Sequence, residues 1–255
     1  MTTFTLQITA MITMLIDHMG GSFMNDFLPF RCIGRFAFII YAFLFAEGFR
    51  HYRTNDDKIG RHLSFLVICT VISEICYDLL ECDTFTITNL MSSQSAMITL
   101  LLAFFGLLAI EKWKTKPITA AFAILLTAMM SYIAKSNYKF MGVMLVYLFY
   151  TYLNYYERKP YVRRVIELMV IMIVYIPLYF WAYNDFCSPV VFFTRLTPYM
   201  RWFLGVQFLS PFILAAYNGK RGLHTSAFQL IYKWFYPAHL FILGVIYHLT
   251  LHKPY

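Results

Sequence analysis

The chain has 255 residues, of which 60% are hydrophobic, 20% aromatic and only 13% charged. Soluble globular proteins carry about 25% charged residues, so this composition excludes an ordinary soluble enzyme, a disordered protein and a secreted disulfide scaffold. The net charge of +8 does not indicate a nucleic-acid partner, because the Lys and Arg residues lie in short clusters between apolar runs, as in membrane proteins.

The apolar runs predict nine membrane spans. A helical span needs about 20 apolar residues, and these runs are continuous, whereas the strands of an outer-membrane barrel alternate. The predicted spans are residues 4–24, 32–50, 62–81, 95–111, 117–134, 140–156, 164–183, 200–217 and 227–250. The fourth to sixth are short, so the count ranges from eight to ten. We predict an all-α, polytopic transmembrane helix bundle that forms a single domain over residues 1–255.

The basic residues predict the orientation of this bundle. Loops two, four, six and eight carry thirteen Lys and Arg residues, and the other side carries seven. Because basic loops stay in the cytoplasm, we predict a cytoplasmic N-terminus and an external C-terminus. Cys32, Cys82 and Cys187 then fall on the outer side, where free thiols are favoured over a disulfide.

The first span contains an adjacent aspartate and histidine, Asp17 and His18, within MLIDHMGG. Adjacent residues point about 100° apart on a helix, so the two side chains cannot share a face. His18 lies on the same stripe as Gln7 and Met14 and is expected to face the bundle. An imidazole is well suited to proton transfer near neutral pH; the structural alternative is a core histidine or a hydrogen bond between helices.

The second span opens with two arginines on one helical face. Arg31 and Arg35 are four residues apart, and Gly34 between them allows a close approach of another helix. Two neighbouring guanidinium groups repel each other unless an anion or a carboxylate lies with them. The alternative is that both arginines anchor the outer end of the span by snorkelling.

Acidic residues follow in the second and third spans. Glu47, near the cytoplasmic end of the second span, could pair with Arg50 or Arg53 as a simple cap. Glu74 and Asp78 are four residues apart and share a face, where two carboxylates repel. We expect them to form a cluster with the two arginines of the second span, near the histidine of the first. Structural salt bridging is the alternative to a functional cluster.

The eighth loop is short and basic. It reads NGKRG over residues 218–222, and we call it the basic loop. Asn218 and Gly219 favour a tight turn, and Lys220 and Arg221 are predicted to face the cytosol. Such loops can hold phosphates, although anchoring by the positive-inside rule is the commoner explanation.

The ninth span contains a helix-breaking residue near its middle. Pro237 removes a backbone donor and frees a carbonyl group, as often happens in transporters and membrane enzymes. Tyr236 and His239 flank it at about mid-membrane depth.

Several catalytic motifs are missing from the sequence. It contains no HExxH, GxSxG, Walker A or GxGxxG motif, and its five cysteines have no metal-ligand spacing. This argues against a zinc protease, a serine hydrolase and a P-loop enzyme, and no metal site is predicted.

Six motifs together resemble one family. They are, in chain order, MLIDHMG, RCIGRFAF, AEGF, SEICYDL, NGKRG and FYPAHL. Their order resembles the TraX family of conjugal-transfer membrane proteins, named for the acetylase that modifies the N-terminus of F pilin. The resemblance covers about residues 5–245. The family is similar to a wider set of integral membrane acyltransferases, which use cytosolic acyl-CoA and a histidine.

The resemblance implies an acetyl-CoA-dependent acyltransferase in the bacterial inner (cytoplasmic) membrane. The acceptor would be an amine or hydroxyl of a membrane-inserted peptide, or another extracytoplasmic group such as a sugar. His18 would be the catalytic base with Asp17 as its local partner, and Arg35 or a backbone donor could stabilise the oxyanion. The implied polar core is Arg31, Arg35, Glu47, Glu74, Asp78, Tyr236 and His239. The residues implied to hold acyl-CoA are Asn218, Lys220 and Arg221.

Two other classes of function fit the same polar residues. A proton-coupled secondary transporter of an organic anion or peptide also needs Arg, Glu, Asp and His within the membrane; inverted repeats would favour it, and none is seen. The third reading is a structural subunit of a secretion or conjugation assembly. An acyltransferase needs a tunnel from the basic face to His18, a transporter needs two alternating vestibules, and a structural subunit needs neither.

Overall fold

The computed structural model describes residues 1–24, 26–81, 94–155, 159–183 and 198–250, and most of these residues are helical. Eleven helical segments fill these ranges. They are α1 (Thr3–Ser22), α2 (Leu28–Tyr52), α3 (Asp56–Glu81), α4 (Ala96–Lys112), α5 (Pro117–Ile133), α6 (Lys139–Asn154), α7 (Tyr161–Tyr183), α8 (Pro198–Gly205), a 3₁₀ turn (Val206–Leu209), α9 (Ser210–Ala215) and α10 (Ser226–Thr250).

Four of the described helices are long and apolar enough to cross a membrane. They are α2, α3, α10 and the Tyr161–Trp181 part of α7. The helix α5 and the segment Val206–Ala215 are shorter and also apolar. The prediction of an all-α, multi-pass membrane protein is therefore confirmed, and nine predicted spans fit the described helices. The cytoplasmic placement of the N-terminus stays a prediction.

The eighth predicted span is not one continuous helix. It is built from α8, the 3₁₀ turn and α9 in series. Gly205 ends α8, and Pro211 lies in the first turn of α9, where its missing N–H costs no helical hydrogen bond. A glycine and a proline six residues apart thus divide an apolar run that is long enough for one span.

The described contacts divide the chain into two compact units. Unit 1 contains Met1–Leu44 and Tyr155–Lys233, and unit 2 contains Phe45–Asn154 and Trp234–Tyr255. Within unit 1, α9 packs against α7; within unit 2, α4 packs against α5 and α6. The prediction of one domain stays a prediction.

The cysteines within the described residues are reduced. Cys32, Cys69 and Cys76 are buried free thiols, as expected for Cys32. Cys82 and Cys187 lie outside the described residues.

Candidate functional site

A carboxylate on α1 binds both arginines of α2. Asp17 Oδ1 accepts a hydrogen bond from Arg31 Nη1 at 2.9 Å, and Asp17 Oδ2 accepts one from Arg35 Nη2 at 3.3 Å. Arg31 Nη1 also lies 3.3 Å from the Asp17 carbonyl oxygen. We call Asp17, Arg31 and Arg35 the arginine clamp. From the sequence, Asp17 was expected to be the partner of His18, and the acids of the third span were expected beside the arginines. In the described contacts, Asp17 itself is hydrogen-bonded to both guanidinium groups.

The arginine clamp is largely removed from water. The exposed fractions of the side chains are 12% for Asp17, 10% for Arg35 and 26% for Arg31. A second acid, Asp26, lies 3.3 Å from Arg31 Nε, but its side chain is 70% exposed. Charges at buried positions are kept only when they are paired and hydrogen-bonded. Asp17 therefore contributes more to holding this cluster than Asp26 does.

Three glycines bring α1 and α2 into close contact at the clamp. A Cβ atom added at Gly34 would lie 2.1 Å from Asp17 Cβ, and one added at Gly20 would lie 2.6 Å from Phe30 Cβ. At Gly21 it would lie 3.1 Å from an Arg31 nitrogen. The predicted close approach at Gly34 is thus confirmed, and only a residue without a side chain fits there.

His18 follows the clamp residue Asp17 on α1 and is half-buried. Because it is one position further along the helix, its side chain leaves α1 about 100° from that of Asp17. The imidazole therefore lies beside the clamp without sharing its face of α1. The role of His18 as a catalytic base stays a prediction.

The basic loop has a defined turn. Asn218 Oδ1 accepts a hydrogen bond from the Lys220 backbone N–H at 3.0 Å, as an Asx turn does. Gly219 and Gly222 have φ values of +73° and +72°, which favour glycine. A Cβ added at Gly222 would also lie 2.5 Å from Thr2 Oγ1. Larger residues at the two glycine positions would strain this conformation.

The carbonyl groups of the basic loop cap the first turn of α1. The Thr3 N–H donates to the Lys220 carbonyl oxygen at 2.9 Å, and the Phe4 N–H donates to the Arg221 carbonyl oxygen at 3.0 Å. These are amides that a helix leaves without partners inside itself. The side chains of Lys220 and Arg221 are exposed and form no ion pair with the residues that the structure describes. The loop backbone thus caps α1, while the two cationic side chains point into solvent.

Glu47 lies in unit 2 at the end of α2. Its carboxylate is 3.1 Å from His51 Nε2 and 3.6 Å from Arg50 Nε. Of the two arginines predicted as possible partners of Glu47, Arg50 is therefore the one in contact. Arg53 instead contacts Glu111 at 3.3 Å. The two contacts of Glu47 lie within the last turns of α2, and they agree with a capping role.

Two predicted polar residues meet at the start of α4 in unit 2. The Ser95 N–H lies 3.1 and 3.2 Å from the two carboxylate oxygens of Glu74, to which the Ser95 hydroxyl also donates. The next amide, of Ala96, donates to the Tyr236 hydroxyl at 3.3 Å. A helix N-terminus favours such acceptors. Ser95 was not predicted, although a serine directly before a long apolar run is an N-cap signal.

His239 is buried in the same unit with a fixed tautomer. Its Nδ1 lies 2.7 Å from the Phe235 carbonyl oxygen, which can only accept, so Nδ1 carries the proton. The imidazole stacks on Phe235 at 4.7 Å and meets the Tyr236 ring edge-on at 5.6 Å. Asp78 is also buried, at 5% exposure.

The predicted site residues therefore belong to both units. Those of unit 1 are Asp17, His18, Arg31, Arg35, Asn218, Lys220 and Arg221. Those of unit 2 are Glu47, Glu74, Asp78, Tyr236 and His239. Over the described ranges, no three His, Cys, Asp or Glu side chains are grouped to hold a metal ion.

The comparison with protein families identifies one family. The model described as "TraX protein" matches residues 3–247. No curated protein and no solved structure matches the chain. Because the family match covers nearly the whole chain, this membrane protein belongs to the conjugation-related TraX family.

Proposed function

We propose that this TraX protein is an integral membrane acyltransferase of the bacterial inner membrane. It would move an acetyl group from acetyl-CoA to an amine or hydroxyl of an extracytoplasmic acceptor, such as the N-terminus of a membrane-inserted peptide. One observation carries the proposal: His18 directly follows a carboxylate that accepts hydrogen bonds from two partly buried guanidinium groups. Acyl transfer requires a base close to positioned hydrogen-bond donors, and His18 is the histidine next to the arginine clamp in the chain.

The chemistry assigns one step to each side chain. His18 removes a proton from the acceptor nitrogen or oxygen as that atom attacks the thioester carbonyl carbon. Arg35 donates hydrogen bonds to the oxygen, which becomes negatively charged in the tetrahedral intermediate. The intermediate collapses, the C–S bond breaks, and the CoA thiolate takes up the proton. Asp17 is a positioning residue, because it holds the Arg35 guanidinium.

The basic loop is the proposed site for the phosphates of acetyl-CoA. Lys220 and Arg221 are exposed, and in the part of the chain described here they form no ion pair. The loop belongs to the same unit as His18 and caps the helix that carries it. Cationic side chains without ion-pair partners are well suited to hold a polyphosphate.

Replacing His18 with alanine is expected to reduce acetyl transfer at least about a hundredfold, because general base catalysis contributes 10²–10⁴. Transfer from radiolabelled acetyl-CoA in membranes would be measured, and gel filtration would show that the variant folds. His224→Ala, an exposed histidine of unit 1, is the matched control and should retain activity. Full activity of the His18 variant would remove the base assignment.

The double substitution Lys220→Ala with Arg221→Ala is expected to raise KM for acetyl-CoA roughly tenfold or more, with a smaller change in kcat. The α1 cap should remain, because it uses backbone carbonyl groups. Lys58→Ala with Arg61→Ala removes the same charge from two exposed residues of unit 2 and controls for a general electrostatic effect. An unchanged KM in the loop variant would move the donor site elsewhere.

A proton-coupled transporter is the second candidate. Titratable groups in unit 2 favour it, namely the buried Asp78 and His239 and the half-buried Glu74, because intramembrane acids and histidines form proton pathways. Calorimetry of acetyl-CoA with the detergent-purified chain separates the two candidates. Micromolar binding supports the acyltransferase, whereas no binding brings the transporter forward.

A further inference from the structure

A series of aromatic rings in unit 1 begins at the basic loop. The rings of Phe4 and Phe228 have centroids 4.6 Å apart at 59°. Phe228 stacks on Tyr232 at 6.5 Å and 18°, and Tyr232 stacks on Tyr41 at 5.8 Å and 12°. We call these four residues the aromatic series. It links α1, α10 and α2 through side chains that are each half-buried.

The first ring of the series is joined directly to the basic loop. The Phe4 N–H donates to the Arg221 carbonyl oxygen at 3.0 Å. A Cβ atom added at Gly222 would lie 3.1 Å from Phe4 Cβ, so the loop backbone packs tightly against this residue. The backbone that carries the two exposed cations is therefore joined directly to the first ring of the aromatic series.

This combination matches a particular ligand chemistry. Cations alone would suit any phosphate, but a stacked aromatic series beside them adds a surface for a planar base. Base–aromatic stacking is sequence-tolerant and strengthens binding about five- to a hundredfold. We propose that the basic loop and the aromatic series bind a purine nucleotide through its phosphates and its base. If the proposed function holds, this ligand is the adenosine 3′,5′-bisphosphate part of acetyl-CoA.

The direct test is the binding of two probes to the detergent-purified full chain. Adenosine 3′,5′-bisphosphate should bind at least about tenfold more tightly than inorganic pyrophosphate, because only the nucleotide can stack. Equal affinity for the two probes would overturn the proposal and leave a general phosphate site. Failure of both probes to bind would overturn it as well.

Substitution of one ring tests the role of the aromatic series. Phe228→Leu should weaken nucleotide binding about tenfold and leave pyrophosphate binding unchanged. Phe241→Leu, on the same helix and 52% exposed, is the matched control and should change neither. If the Phe228 variant fails to fold, Lys220→Ala with Arg221→Ala at exposed positions should weaken both probes. An unchanged nucleotide affinity in a folded Phe228→Leu protein, or in the loop variant, would contradict the proposal.

Comparing two acyl donors separates this proposal from the proposed function. The proposal expects acetyl-CoA to be used with a lower KM than S-acetyl-phosphopantetheine, which lacks the nucleotide. Equal KM values for the two donors would overturn the nucleotide site but would remain consistent with the proposed acyltransferase activity. Selective nucleotide binding without acetyl transfer from either donor would support the nucleotide site and contradict the proposed acyltransferase activity.

Discussion

Replacing Asp17 with asparagine is expected to destabilise the protein by about 3–5 kcal/mol, because it leaves the largely buried Arg35 and the partly buried Arg31 without their shared carboxylate. The Arg35 side chain is only 10% exposed, so water cannot take the place of the lost charge. The unfolding midpoint in detergent and the yield of monodisperse protein would both fall. Acetyl transfer should fall with them, since the same carboxylate holds the proposed oxyanion donor.

Asp26→Asn is the matched control for this prediction. It removes the other carboxylate bound to Arg31, but that side chain is 70% exposed. Exposed ion pairs contribute about 0–1 kcal/mol, so this variant should be close to the native protein. The combination of Asp17→Asn with Arg35→Gln should cost less than the sum of the single changes, by about 1–3 kcal/mol. Equal stabilities of the Asp17 and Asp26 variants would refute the importance of the buried carboxylate.

Replacing Gly34 with alanine is expected to have the second large effect. The new Cβ atom would lie 2.1 Å from Asp17 Cβ and 2.4 Å from Asp17 Oδ1, so α1 and α2 would have to separate. Such overpacking costs about 1–3 kcal/mol, and the separation would also lengthen the hydrogen bonds of the arginine clamp. Thermal unfolding would show a lower midpoint, and the loss of acetyl transfer should exceed the loss of folded protein.

Gly48→Ala on the same helix provides the comparison for Gly34. A Cβ atom added at Gly48 meets nothing within 4 Å. Alanine is the better helix former by about 1 kcal/mol, so this variant should be as stable as the native protein or more stable. A Gly34→Ala protein that matches the Gly48→Ala protein in stability and activity would show that the close approach of α1 and α2 is not needed.

The helices and the local signals of the sequence were predicted well, because they depend on residues close to one another. Apolar runs located the spans, and the four-residue spacing placed Arg31 and Arg35 on one face. Gly34 indicated a close approach, and Asn218 with Gly219 indicated a turn. In each of these cases the physical cause lies within a few residues of the pattern.

The partners of the charged groups were predicted less well, because each is set by packing between distant segments. Asp17 meets Arg31 and Arg35 only because small residues fix how α1 crosses α2, and helical periodicity does not give that geometry. Glu74 was expected to need a basic partner, yet its described donors are an amide and a hydroxyl of Ser95. The sequence pattern showed that these acids needed partners, but the choice of partner depended on tertiary structure.

The cap that the basic loop places on α1 also bears on how the protein is made. Thr3 and Lys220 are 217 residues apart in the chain, and ribosomes add about 5–20 residues per second. The carbonyl groups that cap the first turn of α1 are therefore synthesised on the order of ten to forty seconds after the helix itself. During that interval α1 can be steadied by α2, which follows it at once and carries the two arginines. The clamp can thus form early in biosynthesis, whereas the segment that binds the amino end of the same helix arrives late.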